Sequence, residues 1–315
     1  MQSRILGITG LKVSALSIGT VSLGVNYGID APDQFGRPRY NEAVGLIDEA
    51  VNCGINLFDT APNYGESERL LGTALKNHPD CLIATKVSIP RDEKKQVLSG
   101  KPLTEFIEKS IRESLEALQR KSLDIMQIHN ATADVLEQGE MTENLIRLKN
   151  KGMIRCIGAS VYKESEALAV LSAGCFDVLQ VACSILDRRM EKKVFPEAKE
   201  KGIGILTRSA LLKGALTYKA QWLPEELSEL KEQVEKIKAE VTNGSWEQLQ
   251  ETAIRFCLSS PHIDSVLIGP RTRQELQFAI ASQDKGPLSE ELLKTLSAFQ
   301  LQEEHFLNPS LWPVQ

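Results

Sequence analysis

Three ionisable side chains of different chemistry, Asp59, Lys86 and His129, each follow or close a short apolar run: Ile55–Phe58, Cys81–Thr85 and Leu123–Ile128. A carboxylate, an ammonium and an imidazole brought together are a working set for moving a proton and polarising a substrate oxygen. Singly, each has a plain reading: Asp59 as a helix cap, Lys86 as a solvated loop charge, His129 as a satisfied core histidine. Their recurrence at one kind of position argues that they converge. Four further runs end in Ser160, Gln180, Arg208 and Gly269-Pro270-Arg271, while the first ends in Gly19-Thr20 with no ionisable group. A second kind of chemistry lies just beyond the last run. Thr272 followed three residues later by Glu275 is a capping-box pattern that opens a helix. Helix N-termini bind phosphate through free N–H groups and the dipole, and Arg271 and Arg273 flank this one. The plain alternative is a pair of solvated arginines.

For such residues to meet, the elements carrying them must end on one face. The β-rich runs are Ala15–Gly19, Ile55–Phe58, Cys81–Thr85, Leu123–Ile128, Ile154–Gly158, Val178–Val181, Ile203–Leu206 and Ser265–Ile268. Amphipathic stretches lie between them: Asn41–Asn52, Leu103–Leu118, Glu143–Asn150, Ser165–Ser172, Glu191–Lys201 and Thr272–Ala281. Within Asn41–Asn52, for example, Ala43, Leu46, Ile47, Ala50 and Val51 share one helical face. Strands alternating with helices imply parallel pairing and right-handed crossovers. Eight units over about 250 residues predict an α/β fold, a (β/α)8 TIM barrel, whose chemistry collects at the C-terminal ends of the strands. A doubly wound sheet is the alternative, but it wants a glycine-rich turn after an early strand, and Thr20–Gly24 holds only one internal glycine position to offer. Two apolar runs around Thr9-Gly10 predict an N-terminal β-hairpin that plugs the barrel bottom. The seventh and eighth runs are far apart, and helical stretches near Pro224–Val241 and Ser245–Leu258 read as an insertion on the loop face. The expectation is a single domain over residues 1–315 with long C-terminal-face loops.

The 315 residues carry 37 Lys and Arg against 42 Asp and Glu, a formal charge of −5. That balance gives no support to nucleic-acid or anionic-membrane partners. No run approaches about 18 consecutive apolar residues, and the start, Met1-Gln2-Ser3-Arg4, leads into no apolar stretch. The six cysteines form no close metal-ligand pair. A cytoplasmic, reduced protein without a metal is expected; its oligomeric state is not legible.

Arg4–Thr20 reads RILGITGLKVSALSIGT and Phe58–Gly72 reads FDTAPNYGESERLLG. With Ala84-Thr85-Lys86, Ile128-His129-Asn130 and Ile157-Gly158-Ala159-Ser160 they run in one order along essentially the whole chain. In that set the chain resembles the aldo-keto reductase superfamily. The resemblance implies a (β/α)8 oxidoreductase that reduces an aldehyde or ketone, or oxidises a sugar or alcohol in reverse, with NADPH/NADP+ and with NADH as the other possible cofactor. It places a catalytic tetrad on Asp59, Tyr64, Lys86 and His129. The chemistry suits those types. A free tyrosine has a pKa of ~10 and is a poor acid near neutrality; a neighbouring ammonium stabilises its phenolate and lowers that value. Lys86 is expected to do this to Tyr64, Asp59 to hold Lys86 charged, and His129 to hydrogen-bond the substrate oxygen. Glu66 and Glu68 read as first-turn helix acids.

On the cofactor side the resemblance implies Thr20, Ser160 and Gln180 near the nicotinamide, the last two on its carboxamide. The asparagine usual beside that serine is Val161 here. Arg208 takes the place of a ring that stacks on nicotinamide; it either stacks as a planar cation or points at substrate or phosphate. Ser209, Leu211 and Lys213 follow on a loop that lies along the pyrophosphate. Gly269, Arg271, Thr272, Arg273 and Glu275 resemble a site for the 2′-phosphate, with Ala279 in place of a late asparagine. Substrate contacts are placed on Tyr27, Trp222 and Trp312, the two tryptophans being either pocket walls or anchors. The expected pocket also takes in Val25, Ile89-Pro90 and the tail from His305, with Arg37, Arg39 and Arg91 facing an anionic or sugar substrate or simply solvent. Two other functions compete: a Schiff-base aldolase or lyase on Lys86, and a cofactor-binding regulatory subunit without turnover.

Overall fold

Eight short strands, nearly all buried on both sides, pair in parallel and close on themselves. In the computed structural model, which describes residues 1–32 and 35–313, they run β3 (Leu16–Gly19), β4 (Leu57–Asp59), β5 (Leu82–Val87), β6 (Leu123–Ile128), β7 (Ile154–Ser160), β8 (Val178–Ala182), β9 (Gly204–Arg208) and β10 (Ser265–Ile268). Neighbours in sequence are neighbours in the barrel, and β10 closes it against β3. This is the (β/α)8 barrel, with all eight expected strands in place. Four site residues lie inside strands that run further than their apolar cores, Asp59 in β4, Lys86 in β5, Ser160 in β7 and Arg208 in β9, because each is partnered or faces the cavity described below.

β1 (Ser3–Ile5) and β2 (Lys12–Ser14) form the antiparallel hairpin. It does plug the barrel bottom. Leu6, Leu11 and Val13 join a buried cluster with Leu57, Leu82, Ile125 and Leu206 from four barrel strands. Gly7 (φ +49°) is required there, since a Cβ would lie 2.3 Å from the Gly202 carbonyl oxygen. Asp264 ties the plug to the strands by accepting from the N–H groups of Gly7 (3.2 Å) and Ile205 (2.8 Å).

The outer helices bury one face each; Leu103, Ile107 and Ile111 of Gly100–Ala117 are typical. The insertion is smaller than the sequence suggests. Trp246–Ser259 packs against Arg273–Asp284 and leads into β10, so it is the ordinary crossover helix of the seventh unit. Ser228–Val241, buried through Leu230, Val234 and Ile237, is the added element. The polar loop of residues 30–39 includes Asp33 and Gln34, which lie outside the described residues, as do residues 314 and 315 at the end of the expected domain.

Candidate active site

Asp59 ends β4 and Lys86 lies one strand over, in β5, so the parallel register brings them together. The Lys86 Nζ donates to Asp59 Oδ1 at 2.6 Å and to the Thr60 carbonyl at 2.8 Å. Lys86 is 1% exposed. Burial alone pulls its pKa down, but the Asp59 carboxylate and the Tyr64 phenol outweigh that and hold it above the usual lysine value. The other carboxylate oxygen, Oδ2, accepts from Gln127 Nε2 (3.1 Å) and Gln180 Nε2 (2.8 Å). The expected carboxamide ligand Gln180 thus has its amide nitrogen on Asp59. Gln127 escaped the sequence reading, although a lone amide inside the buried run Leu123–Ile128 was a signal for it.

Tyr64 sits in a tight turn just beyond β4. Gly24 and Gly65 let that turn press against the segment after β3: a Cβ on Gly24 would come within 1.8 Å of the Tyr64 carbonyl oxygen, and one on Gly65 within 2.5 Å of the Gly24 oxygen. A hydroxyl network of Thr20, Thr60 and Ser67 pins the two segments, with Thr20 Oγ1 also donating to the Asp59 carbonyl at 2.9 Å. The Lys86 Nζ lies 5.0 Å from the Tyr64 ring centre. The His129 ring meets the Tyr64 ring edge-on, 5.8 Å away at 84°. Burial pushes the Tyr64 pKa up, and Lys86 opposes that only in part, so the net shift is upward. The expected lowering by Lys86 is therefore present but outweighed, and the phenol is a protonated donor at rest. Glu68 is likewise more than a first-turn acid: it is buried and accepts from Thr85 Oγ1 at 2.6 Å.

Burial, with the Lys86 and Arg208 cations, lowers the His129 pKa to about 3. The imidazole is neutral at ordinary pH and has one N–H to give. An unfolded histidine takes its proton near pH 6.5; the folded one does not until about 3. Below roughly pH 6.5 the unfolded chain therefore binds more protons, and stability falls with falling pH by up to about 1.4 kcal/mol per pH unit from this group. Urea titrations near pH 7.5 and pH 5 should show a steeper loss for the wild type than for His129→Gln. Equal losses would contradict the buried neutral ring.

A continuous cavity of about 940 Å³ runs from Asp59, Tyr64 and His129 past Ser160, Gln180 and Arg208, and on to Gly269, Arg271, Thr272 and Glu275. Thr20 and Tyr27 line it as well. Between its ends pass Ser209, Leu211 and Lys213, on a loop whose Ser209 (φ +67°), Leu212 (+44°) and Lys213 (+56°) take the left-handed conformation costly for such residues. At the far end Thr272 Oγ1 caps the helix by accepting from Glu275 N at 3.1 Å. Glu275 accepts from Arg271 N (2.7 Å) and pairs with Lys219 (3.6 Å). Lys219, missed in the sequence, lines the cavity, and so does Tyr218, whose hydroxyl is buried without a partner among the described residues in the field of Glu275 and Arg271.

Several expected site residues lie elsewhere. Arg273 turns outward, 73% exposed, to pair with Glu49 at 3.1 Å. Trp222 does not line the cavity; it stands edge-on to Tyr218, ring centres 6.0 Å apart. Trp312 is an anchor: it is buried, donates from Nε1 to the Phe306 carbonyl at 3.3 Å, and lies 5.5 Å under the Lys213 ammonium. The same ammonium stands 5.7 Å from the Tyr27 ring. Val25, Ile89, Pro90 and His305 are not on the wall either. Of the three candidate arginines, only Arg37 reaches the cavity, whereas Arg91 pairs with Asp134 at 3.1 Å. Among the described residues no group of His, Cys, Asp and Glu is placed to hold a metal ion. No described helix is long and apolar enough to cross a membrane.

A barrel with a buried Asp-Lys pair beneath a tyrosine and a neutral histidine, opening into a long groove, defines the class, and comparison gives the family. The chain belongs to the aldo/keto reductase family, whose model matches residues 15–300. It is 32% identical over 302 residues to L-galactose dehydrogenase of Arabidopsis thaliana, covering 90% of this chain and 88% of that one. It is 32% identical over 232 residues to the NADH-specific methylglyoxal reductase of Escherichia coli, covering 67% and 68% of the two chains. Its barrel superposes on the holo form of an aldo-keto reductase from Bacillus halodurans with a TM-score of 0.78, at 27% identity and with 95% and 96% coverage. The protein is thus an oxidoreductase of the family that reduces carbonyl compounds.

Proposed function

We propose that this protein is a cytoplasmic, single-domain, nicotinamide-dependent reductase of small aldehydes, ketones or sugars, with Tyr64 as the general acid. The observation that carries the reading is the stack of Asp59, Lys86 and Tyr64, with neutral His129 edge-on to the tyrosine, at one end of a long groove. The groove suits a dinucleotide. It joins the acid-base cluster to a helix start, and its far end holds a partnerless Tyr218 hydroxyl beside Arg271 and Glu275. When bound, a reduced nicotinamide supplies the hydride. The protein's part is to polarise the carbonyl oxygen between the Tyr64 hydroxyl and the His129 N–H, and to give that oxygen the Tyr64 proton. Lys86 then stabilises the phenolate, and Asp59, braced by Gln127 and Gln180, keeps Lys86 charged and aimed. Run in reverse, the same groups oxidise an alcohol carbon, the direction named for the Arabidopsis relative. Schiff-base chemistry needs a neutral amine, and Asp59 keeps Lys86 an ammonium. The test is turnover of aldehydes, ketones and aldoses followed by loss of the reduced-nicotinamide absorbance; binding of cofactor with no turnover of any would instead support a regulatory subunit.

NADPH is the proposed cofactor, held through Arg271 with Lys219 beside it, while Arg273 points away toward Glu49. A charge-assisted bond to phosphate is worth about 1.5–3 kcal/mol, or roughly tenfold and more in affinity. Arg271→Ala should weaken NADPH by at least that factor and change NADH less than about threefold, while Arg273→Ala leaves both intact. Fluorescence titration at fixed ionic strength decides. NADH binding that equals or exceeds NADPH binding in the wild type would instead assign Glu275 to the ribose hydroxyls.

A further inference from the structure

Arg208 closes β9 with its guanidinium held by neutral groups. Its Cζ lies 3.9 Å from the Tyr162 ring centre, Nη2 donates to the Val161 carbonyl at 3.1 Å, and Nη1 donates to Ser209 Oγ at 3.5 Å. All three partners are neutral. No carboxylate of the described residues pairs with Arg208, and the acids that line the same cavity are engaged elsewhere. Asp59 is bonded to Lys86, Glu275 pairs with Lys219, and Glu42 accepts from the Arg39 N–H at 3.0 Å. The end of the cavity that holds Tyr64 and His129 therefore carries the uncompensated positive charge of Arg208. Its field is felt there: it adds to the forces holding His129 neutral and opposes the burial of the Tyr64 phenol.

Hydride transfer needs the donor carbon within about 3.5 Å of the carbonyl carbon, and the carbonyl oxygen must reach Tyr64 and His129. A bound nicotinamide ring would therefore occupy the end of the cavity that Arg208 lines. That ring is neutral when reduced. Passing a hydride to the carbonyl carbon, with the Tyr64 proton going to the oxygen, leaves it a pyridinium cation.

We propose that Arg208 selects the redox state of the bound cofactor: its unpaired guanidinium accepts the neutral reduced ring and disfavours the cationic oxidised one. This rests on the nicotinamide-dependent reading above and deepens it by assigning a direction. The reduced form loads, and the oxidised form leaves readily after turnover, which suits a site cycling toward the alcohol. The gain is in cofactor exchange and not in the hydride step, because the same preference pulls the on-enzyme equilibrium toward the reduced ring. Two unit charges several Å apart, at an effective dielectric between a protein surface and water, give a preference on the order of tenfold.

Calorimetric titration of the whole protein with NADP+, NADPH and ring-less 2′-phospho-ADP-ribose tests this. Wild type should bind NADPH about tenfold tighter than NADP+. Arg208→Gln, which keeps a planar donor for Val161 and Tyr162, should bring the ratio within about threefold, chiefly by tightening NADP+. Arg208→Lys, which keeps the charge, should preserve the ratio, and the ring-less probe should bind all three proteins alike. A wild-type ratio already near one overturns the proposal. So does a ratio that Arg208→Gln leaves intact, or an equal weakening of all three ligands. Failure to bind either NADP(H) or NAD(H) would instead overturn the nicotinamide reading on which it rests.

Discussion

Tyr64→Phe should lose about 10²- to 10⁴-fold in kcat for carbonyl reduction, the usual worth of a positioned general acid, while cofactor affinity stays within about twofold. The substitution removes the proton and leaves the ring, and the ring makes the structural contacts: the edge-on meeting with His129 at 5.8 Å and the face toward Lys86 at 5.0 Å. The turn itself is set by Gly24 and Gly65, so the fold should be indifferent to the hydroxyl. The phenol's pKa lies above its ordinary value in the free protein, so the wild type should reduce carbonyls at a rate that does not fall until well into the alkaline range. The oxidation of an alcohol, which needs the phenolate, should rise with pH. Pre-steady-state turnover with a deuterated cofactor identifies the hydride step. If that step keeps more than about a third of its rate in the variant, the proton comes from another group.

What the sequence made legible, and what it hid, follow from the range of the contacts involved. Barrel order, hairpin plug and the convergence of Asp59, Lys86 and His129 all follow from local pattern, since alternating elements and right-handed crossovers fix where strand ends go. The apolar pattern stops short of Lys86 because a lysine reads as solvated. It is instead buried, bonded to a carboxylate 27 residues away. The lowering of the Tyr64 pKa by Lys86 is present, but the net shift is upward for a related reason: the helping charge is visible in a motif, whereas burial is a sum over the whole fold. Arg271 and Arg273 look equivalent at a helix start, yet they point to opposite sides. What separates them is Glu49 on the neighbouring helix Tyr40–Asn52, which captures Arg273. The sequence leaves Trp222 and Trp312 open between wall and anchor, and only tertiary packing assigns them. Tyr162 could not be seen at all, since its value lies in the 3.9 Å contact with an arginine from a strand two places away in the barrel.

Lys86→Met should be costly twice over. The side chain is replaced by one of similar length, but Asp59 keeps its charge in a site where it is 3% exposed. Its remaining support is the two glutamine amides on Oδ2. Removing one member of a buried ion pair typically costs about 3–5 kcal/mol, because the other charge is left uncompensated. In the double variant Lys86→Met, Asp59→Asn no charge is stranded, so most of that stability should return. Activity should not return with it. Without the ammonium only the more weakly acting Arg208 still opposes burial at Tyr64, so the phenol's pKa rises further and the phenolate left by proton transfer loses its main support. The single and double variants should therefore separate on urea midpoints yet agree in having little turnover, and any residual alcohol oxidation should need a higher pH than in the wild type. A single variant as stable as the wild type would show that removing the ammonium strands no buried charge at this site. An unchanged pH–rate profile would detach the lysine from the acid and leave Tyr64 acting with His129 alone.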